Sequence, residues 1–385
     1  MAVTYQAGAP SSAEYMDALG RTLRTRTQKL DGTNVFTDVT FDRLGRALTQ
    51  SVPYSSGQPA ETIYSGYDEL DRPRTKRTPA TDSNTEDVTA TYTYNGYITT
   101  IDVTAADSSA AASMSMERAY NSRNQLMYTI DDAGGETRYA YDAAGNPVVI
   151  QDAANNSIYA HYDDMGRKLW VDDPNQGKTD FVYNDFGELE KETDANGTDI
   201  RYEHDLLGRI TARLTSGDNA SFEWDTLVAG SLTSETVSGL TKTYAYDEFA
   251  RPTDITTNIS GEGEFVVSTA YDQNYGRPKA LTYPNGLTVA YRYNQHGFLI
   301  SEENAVSGYV YRNVTEMDDW GNISAASLTD GLLTGEYAHT SRTGQMRFSH
   351  VTSQVAGVVQ HLSYSDYDSY GNLKIQQNLV AAVSA

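Results

Sequence analysis

Along most of the chain, apolar and polar positions alternate in short runs that are broken by Asp, Asn and Gly. In the most regular part the pattern returns every 21 residues: Gly145, Gly166, Gly187 and Gly208 follow four aromatic-Asp or related pairs at that spacing, and Asn124 holds the same place one period earlier. A fixed period of this length marks a repeat architecture. In the copy at Tyr139, Tyr139 and Tyr141 stand two apart, so in a strand their rings share a face. Asp142 to Gly145 fits a type I turn, with Asp at the first position and Gly at the fourth, and the Asp side chain can accept from nearby backbone amides. Pro147 to Ile150 reads as a second strand and Asp152 to Asn156 as a second turn. One period is therefore a β-hairpin. A helical reading fails, because the apolar residues do not follow a 3.6 period and Gly, Asn and Asp recur too often. An isolated hairpin is marginal in water, so the units must pair edge to edge. The expected fold is all-β, a repeat array of antiparallel hairpins in one long, spiralling sheet.

Residues 1–14 read as a loose lead-in, 15–378 as the array and 379–385 as a C-terminal tail. Copies open at Met16-Asp17, Phe41-Asp42 and Tyr67-Asp68, spaced by 25 and 26 residues, which leaves room for wider loops such as 51–62. Tyr94-Asn95 begins a copy whose Gly96 comes early. Residues 107–115, small and polar, are expected to form a flexible insertion. The regular run over 120–209 follows. Beyond it, Trp224-Asp225 lacks a turn glycine, Tyr246-Asp247 has Ala250 where Gly is expected, and Tyr271-Asp272 has one extra residue before Gly276. Tyr293-Asn294, Met317-Asp318, a faint copy near Ser341–Gly344 and Tyr367-Asp368 complete 16 copies, 15 of them with Asp or Asn at the first turn position. The signature is clearest at Tyr141, Asp142 and Gly145; at Tyr162, Asp163, Gly166 and Arg167; and at Tyr183, Asn184 and Gly187. It continues at Asp205, Gly208 and Arg209, at Tyr246 and Asp247, at Tyr293, Asn294 and Gly297, and at Tyr367, Asp368 and Gly371. The spacing gives all of them a structural role.

Tyrosine is the compositional outlier, with 29 copies against 9 Phe. A mean hydropathy of −0.55 is low for a thick two-layer core, and a sheet wetted on at least one face suits it, since Tyr joins apolar area to a polar tip. Low hydropathy with a net charge of −23 also leans toward disorder, but regular aromatic strands and placed turn residues argue against that. The excess of 52 Asp and Glu over 29 Lys and Arg argues against a nucleic-acid partner. No stretch is apolar enough to insert in a membrane, and the first ten residues lack a signal-peptide core. With no Cys there is neither a disulfide framework nor a thiolate metal site.

These units resemble the YD, or RHS, repeats of bacterial polymorphic toxins, insecticidal Tc toxin complexes and wall-associated proteins, with teneurins as animal relatives. The resemblance covers nearly the whole array, including atypical segments near Arg21, from Thr282 and from Leu362. It implies a ribbon that spirals into a hollow shell around a toxic C-terminal segment. It also implies partners: the rest of the shell, a core-associated closing domain and the enclosed toxin, in a secreted or surface-exposed protein. The family's closing domain cleaves itself at a DPxG-type motif. Here the lone Asp-Pro, Asp173-Pro174, has the wrong spacing and sits in an inter-strand turn, so protease activity does not carry over. Some 32 strands at ~4.8 Å make a ribbon on the order of 150 Å wide, or one ring roughly 50 Å across.

The repeated Asp residues (Asp142, Asp163, Asp205, Asp247, Asp368) could be read as calcium ligands or catalytic carboxylates, but turn formation accounts for their spacing. Asp194 to Asp199 faintly suggests a calcium loop, with Gly197 too early and no Glu at the twelfth position. The six histidines (His161, His204, His296, His339, His350, His361) show no HExxH and no close pairing, and packing explains them more simply. No nucleophile elbow, P-loop or dinucleotide fingerprint occurs. Neither a cofactor nor a catalytic site is expected. Arg21, Arg46, Arg167, Arg209, Arg251 and Arg277 follow the turns and could cap carbonyls or pair with Asp of a neighbouring unit. Tyrosines two apart, repeated on adjacent strands, would form aromatic rows. The reading is a shell scaffold, with a carbohydrate-binding or adhesive module as the alternative use of those rows. An open ribbon leaves edges near Tyr15 and near Tyr367, and the uncharged tail after Leu379 invites self-association there.

Overall fold

The computed structural model describes residues 2–4, 8–80, 87–105, 112–367 and 372–380. Among these there are 33 strands and no helix. Every strand pairs antiparallel with the one before it and the one after it, so the chain is one continuous meander. β1 (Ala2–Thr4) is followed by β2 (Ser12–Met16), and from β2 onward the strands pair off into hairpins, one for each copy of the repeat. The last is closed by β33 (Leu373–Asn378).

The sheet has one layer. Among the described residues, strands touch only their neighbours in sequence, and no large side chain is fully buried. Most of the buried residues are alanine or serine, Ala13, Ala119, Ala220, Ala326, Ser234 and Ser301 among them, with Leu30, Val35, Val314 and Val351 the larger ones. Stability must therefore come from cross-strand pairs and from polar fastenings along the rims, since there is no second layer to pack against.

In several repeats both turns have the same backbone. At Asp163 the amide of Asp163 donates to Arg167 and the amide of Gly166 donates back to Asp163, and the second turn repeats this between Asp152, Asn155 and Asn156. The fourth residue takes the left-handed conformation, φ +80° at Gly166 and +65° at Asn155. This is a type I turn followed by a left-handed residue, a common three-residue hairpin connection. Ala250 is forced into the same conformation at φ +60°. The two turns differ in what comes next. After the aromatic-Asp turn the second strand carries a β-bulge: His161 faces Trp170 but Tyr162 faces Lys168, leaving Leu169 extra. The bulge recurs at Tyr141, Tyr183, His204, Tyr246, Tyr271 and Tyr293.

Three expectations are corrected. The segment read as a loose lead-in supplies a strand, since Ala2–Thr4 pairs with Ser12–Glu14; the N-terminal edge is thus β1, and Tyr15 lies inside the sheet. Of the expected insertion, 107–111 lies outside the described residues, while 112–115 belongs to β10 (Ala112–Tyr120), where Ser113 to Ser115 pair with Thr104 to Asp102. The ribbon does not form one wide ring. The turn between β1 and β2 meets the turn between β24 (Gly263–Tyr271) and β25 (Pro278–Thr282), where the Arg277 guanidinium donates to the Gly8 carbonyl at 2.8 Å. The ribbon overlaps itself after 23 strands. At ~4.8 Å per strand that coil is roughly 35 Å across.

Candidate functional site

Each aromatic-Asp turn is wired by its own side chains. Asp163 Oδ1 accepts from the amides of Met165 and Arg167, both at 2.9 Å, and Oδ2 accepts from Arg167 Nε at 2.6 Å. Asp205 with Arg209 and Asp247 with Arg251 repeat this arrangement. Where the first residue is Asn184, its Oδ1 accepts from Phe186 and Glu188 and its Nδ2 donates to Glu188 Oε2 at 2.7 Å. Asp142 takes Asn146 as its partner. The fourth-next residue thus complements the first: arginine or asparagine donates to Asp, and at Asn184 a carboxylate accepts from Asn. The carboxylates are held below their ordinary range, Asp163 by the Arg167 amide first and Asp205 and Asp247 by the arginine side chains first. Gly145, Gly187 and Gly208 close their turns with positive φ as Gly166 does. Asp368 and Gly371 lie outside the described residues.

The tyrosine then fastens one hairpin to the next. β15 (Lys168–Asp173) and β16 (Gly177–Tyr183) pair only from Trp170 onward, so the carbonyl of Lys168, at the bulge, lies beyond the ladder. The Tyr183 hydroxyl donates to that carbonyl at 2.9 Å. Tyr141 reaches Leu126, Tyr246 reaches Leu232, Tyr293 reaches Pro278 and Tyr367 reaches Met346 in the same way. Tyr162 stands half-buried at the bulge opposite Lys168. This explains tyrosine over phenylalanine: a hydroxyl is needed where the bulge leaves an acceptor. Trp224, in the copy without a turn glycine, does the same work through Nε1, which donates to the Ile210 carbonyl at 2.9 Å. Tyr183→Phe should cost about 1 kcal/mol of stability in denaturant unfolding, because a carbonyl loses its partner. Tyr159→Phe, on an exposed ring, should stay within about 0.5 kcal/mol of the parent.

Arginine completes the fastening. The Arg167 guanidinium lies 5.0 Å from the Tyr183 ring centre, Arg251 4.3 Å from Tyr271, Arg277 4.1 Å from Tyr293 and Arg209 5.1 Å from Trp224. Each arginine pairs with its own turn carboxylate and stacks on the next unit's ring; Arg46 and Arg209 also reach Asp71 and Asp225 of the next unit. The expected tyrosine rows are therefore interrupted. Among the described residues, Tyr–Tyr ring contacts occur at Tyr92–Tyr94 and Tyr309–Tyr311, each between residues two apart in the chain rather than between repeats. Rings covered by guanidinium, with hydroxyls engaged to carbonyls, do not favour the carbohydrate-binding alternative.

The other candidates are placed as follows. Asp194 Oδ1 accepts from the Asn196 and Thr198 amides, and Asp199 accepts from Thr193 Oγ1. Asp173-Pro174 sits in the β15–β16 turn. His161 stacks on Trp170, and His204 lies 4.0 Å from Glu188. His350 and His361, 11 residues apart, are cross-strand partners with ring centres 4.9 Å apart, a pairing that was not expected from their spacing. Among the described residues, no three His, Asp or Glu converge as metal ligands.

The feature that sequence reading missed is the seam between coils. Asn294 Nδ2 donates to the Leu30 carbonyl at 2.7 Å, the role for which Asn rather than Asp is required. Asp319 accepts from Lys29 Nζ at 2.8 Å and from the Ser55 amide and hydroxyl. Burial pushes its carboxyl up, but these donors outweigh burial and hold it below the ordinary value. Arg342 reaches the Ala80 carbonyl and Asp87. A cleft of about 760 Å³ opens on the seam between residues 52–60 and the turns at Asp318 and Thr340, with His339 Nδ1 3.1 Å from Asp318. In every case the aromatic-Asp turns of the later coil rest on the second turns of the first. The only sequence signal was Asn for Asp at 294, and it pointed to a turn, not to a partner 264 residues away.

A one-layer ribbon of fastened hairpins that spirals onto itself defines a repeat shell. Residues 47–222, a little under half of the chain, match the family described as Teneurin YD-shell, and the chain has the RHS/YD shell fold. No curated protein matches it. Solved structures do. The crystal structure of TcdB2-TccC3-Cdc42 superposes with a TM-score of 0.79 at 15% identity, over 96% of this chain and 22% of that one. TcdB2-TccC3 without its hypervariable C-terminal region gives 0.79 at 14% identity, over 97% and 22%. The Tc holotoxin pore of Photorhabdus luminescens gives 0.79 at 15% identity, over 97% and 22%. At these identities the likeness is one of fold, and the chain spans about a fifth of each solved chain.

Proposed function

We propose that this chain is a wall segment of a hollow shell that encloses or presents a polypeptide passenger, a toxin in the manner of the complexes it resembles. The observation that carries the reading is the seam. A sheet that only displayed a surface has no need to close, whereas this ribbon overlaps itself and bonds coil to coil through Arg277, Asn294, Asp319 and Arg342. A closed coil roughly 35 Å across has room for an extended polypeptide. The partners on this reading are further coils of shell and the passenger, and the place of action is outside the producing cell.

Limited proteolysis of the native protein, isolated from its producing cells, tests this. The expected result is a polypeptide that survives protease while the wall is intact and is cut once mild denaturant opens it. A wall preparation with no protected passenger would overturn the reading.

A further inference from the structure

We infer that His350 and His361 form a binding site for a divalent transition-metal ion of the kind that imidazole prefers, zinc being the representative. β31 (Met346–Ser353) and β32 (Gly357–Tyr367) are the strands of one hairpin, and their register sets His350 directly opposite His361. Opposed residues share a face of the sheet, so the two imidazoles stand side by side. Their ring centres are 4.9 Å apart and their planes are tilted by 45°. The register shifts one residue along, between Val351 and Thr352, an irregularity of the kind that re-aims side chains. The next strand in the row adds a carboxylate. Glu336 of β30 (Leu333–His339) lies opposite His350, and its Oε2 stands 3.9 Å from His350 Nδ1.

The spacing fits one ion held between the rings. A zinc–imidazole bond of ~2.1 Å places the centres of two rings that share an ion on the order of 5 Å apart. The tilt lets one nitrogen of each ring turn toward a common point. Glu336 supplies the second feature of such sites: a carboxylate beside Nδ1 orients the ring and leaves Nε2 to face the ion. The other paired histidines lack this arrangement, since His161 stacks on Trp170, while His204 and His339 each lie against one carboxylate. The His350 and Glu336 side chains are partly exposed, so an ion can enter from solvent and water can complete its shell. Imidazole donors suit zinc, copper or nickel, whereas magnesium and calcium prefer oxygen. The net charge of −23 concentrates cations at the surface. A bound ion would tie β31 to β32 in a sheet with no second layer, so metal binding would add to the stability of this hairpin.

Calorimetric titration of zinc chloride into the full chain, stripped with a chelator and held in a non-coordinating buffer, tests the inference. The expected result is one zinc ion per chain, not displaced by excess magnesium. His350→Gln and His361→Gln change partly exposed side chains and should keep the β-sheet circular dichroism of the parent. Each should weaken zinc binding by at least about tenfold, and Glu336→Gln by about tenfold. His161→Gln, on a histidine outside the site, should bind zinc as the parent does. Zinc should also slow amide exchange over residues 346–353 and 357–363, which scattered surface binding would not do. A parent that takes up no zinc overturns the inference. So do His350→Gln and His361→Gln variants that bind as the parent does, or loss of binding in His161→Gln alone, which would place the ion elsewhere.

Discussion

Gly297→Val is expected to open the seam and to cost at least about 3 kcal/mol, several times the effect of a typical surface change. Two terms add. Gly297 has φ +88°, where a side chain costs about 1–2 kcal/mol. A Cβ there would also fall 2.5 Å from the Gly8 carbonyl oxygen and 2.8 Å from Ala9 Cα. Those are backbone atoms, so no rotamer change relieves the clash; the coils must part. The neighbouring Asn294–Leu30 and Arg277–Gly8 bonds would then be lost with it. Gly286→Val isolates the first term, because Gly286 has φ +82° but open space around its Cβ position. It should cost only the conformational strain, about 1–2 kcal/mol. Denaturant unfolding gives the energies, and amide exchange locates the change. Gly297→Val should speed exchange at residues 8–9, 30–32 and 294–298, and Gly286→Val should not. Equal losses for the two variants, with no faster exchange at residues 8–9, would mean that the coils do not bear on each other there.

The contrast between those two glycines shows what the sequence carries and what it does not. Both follow a turn signal, and from the sequence both are hairpin residues. The hairpin itself was legible because its causes are local: Asp142 and Gly145 set a turn within four residues, and alternation sets the strands. The clasp was not, because it depends on register. Nothing at Tyr183 announces that Lys168, 15 residues back, lies beyond the ladder that joins its strand to that of Tyr183. Trp224 carries no sign of this role in a copy without a turn glycine, although its indole donates where the other copies use a phenol. The seam is further out of reach. Its position depends on where a twisted sheet returns to itself, a sum of small strand-to-strand rotations that no single residue encodes. The ring expected from strand count alone was therefore too wide. Asn294 fitted the turn pattern so well that its second role, across the seam, had no separate signature.

Acidification is expected to destabilise the whole array, with melting temperature nearly level from about pH 5 to 8 and falling steadily between about pH 4 and 2. The turn carboxylates decide this. Asp17, Asp42, Asp68, Asp142, Asp163, Asp205, Asp247 and Asp272 all lie below the ordinary value when folded. Asp225, held by Arg209 and the Gly230 amide, lies at about 2. An unfolded Asp titrates at about 3.9. A carboxylate with a lower pKa when folded contributes its full stability above the unfolded value. That contribution disappears as pH falls through the folded value, since the unfolded chain takes up the proton first. Each turn is exposed and contributes modestly, but the same group sits in turn after turn, so the losses fall in one narrow window. A competing effect has the opposite sign. At a net charge of −23 the folded chain repels itself, and protonation would relieve that repulsion. If repulsion governed, the melting temperature would rise on the way down to pH 3. The turn carboxylates are lowered by hydrogen bonds and by their arginines against burial, with no neighbouring carboxylate among the causes, so the turns are expected to outweigh it. A melting temperature that climbs between pH 4 and 2.5 would reverse that ranking and remove the carboxylate-wired turn as the main fastening of the rim.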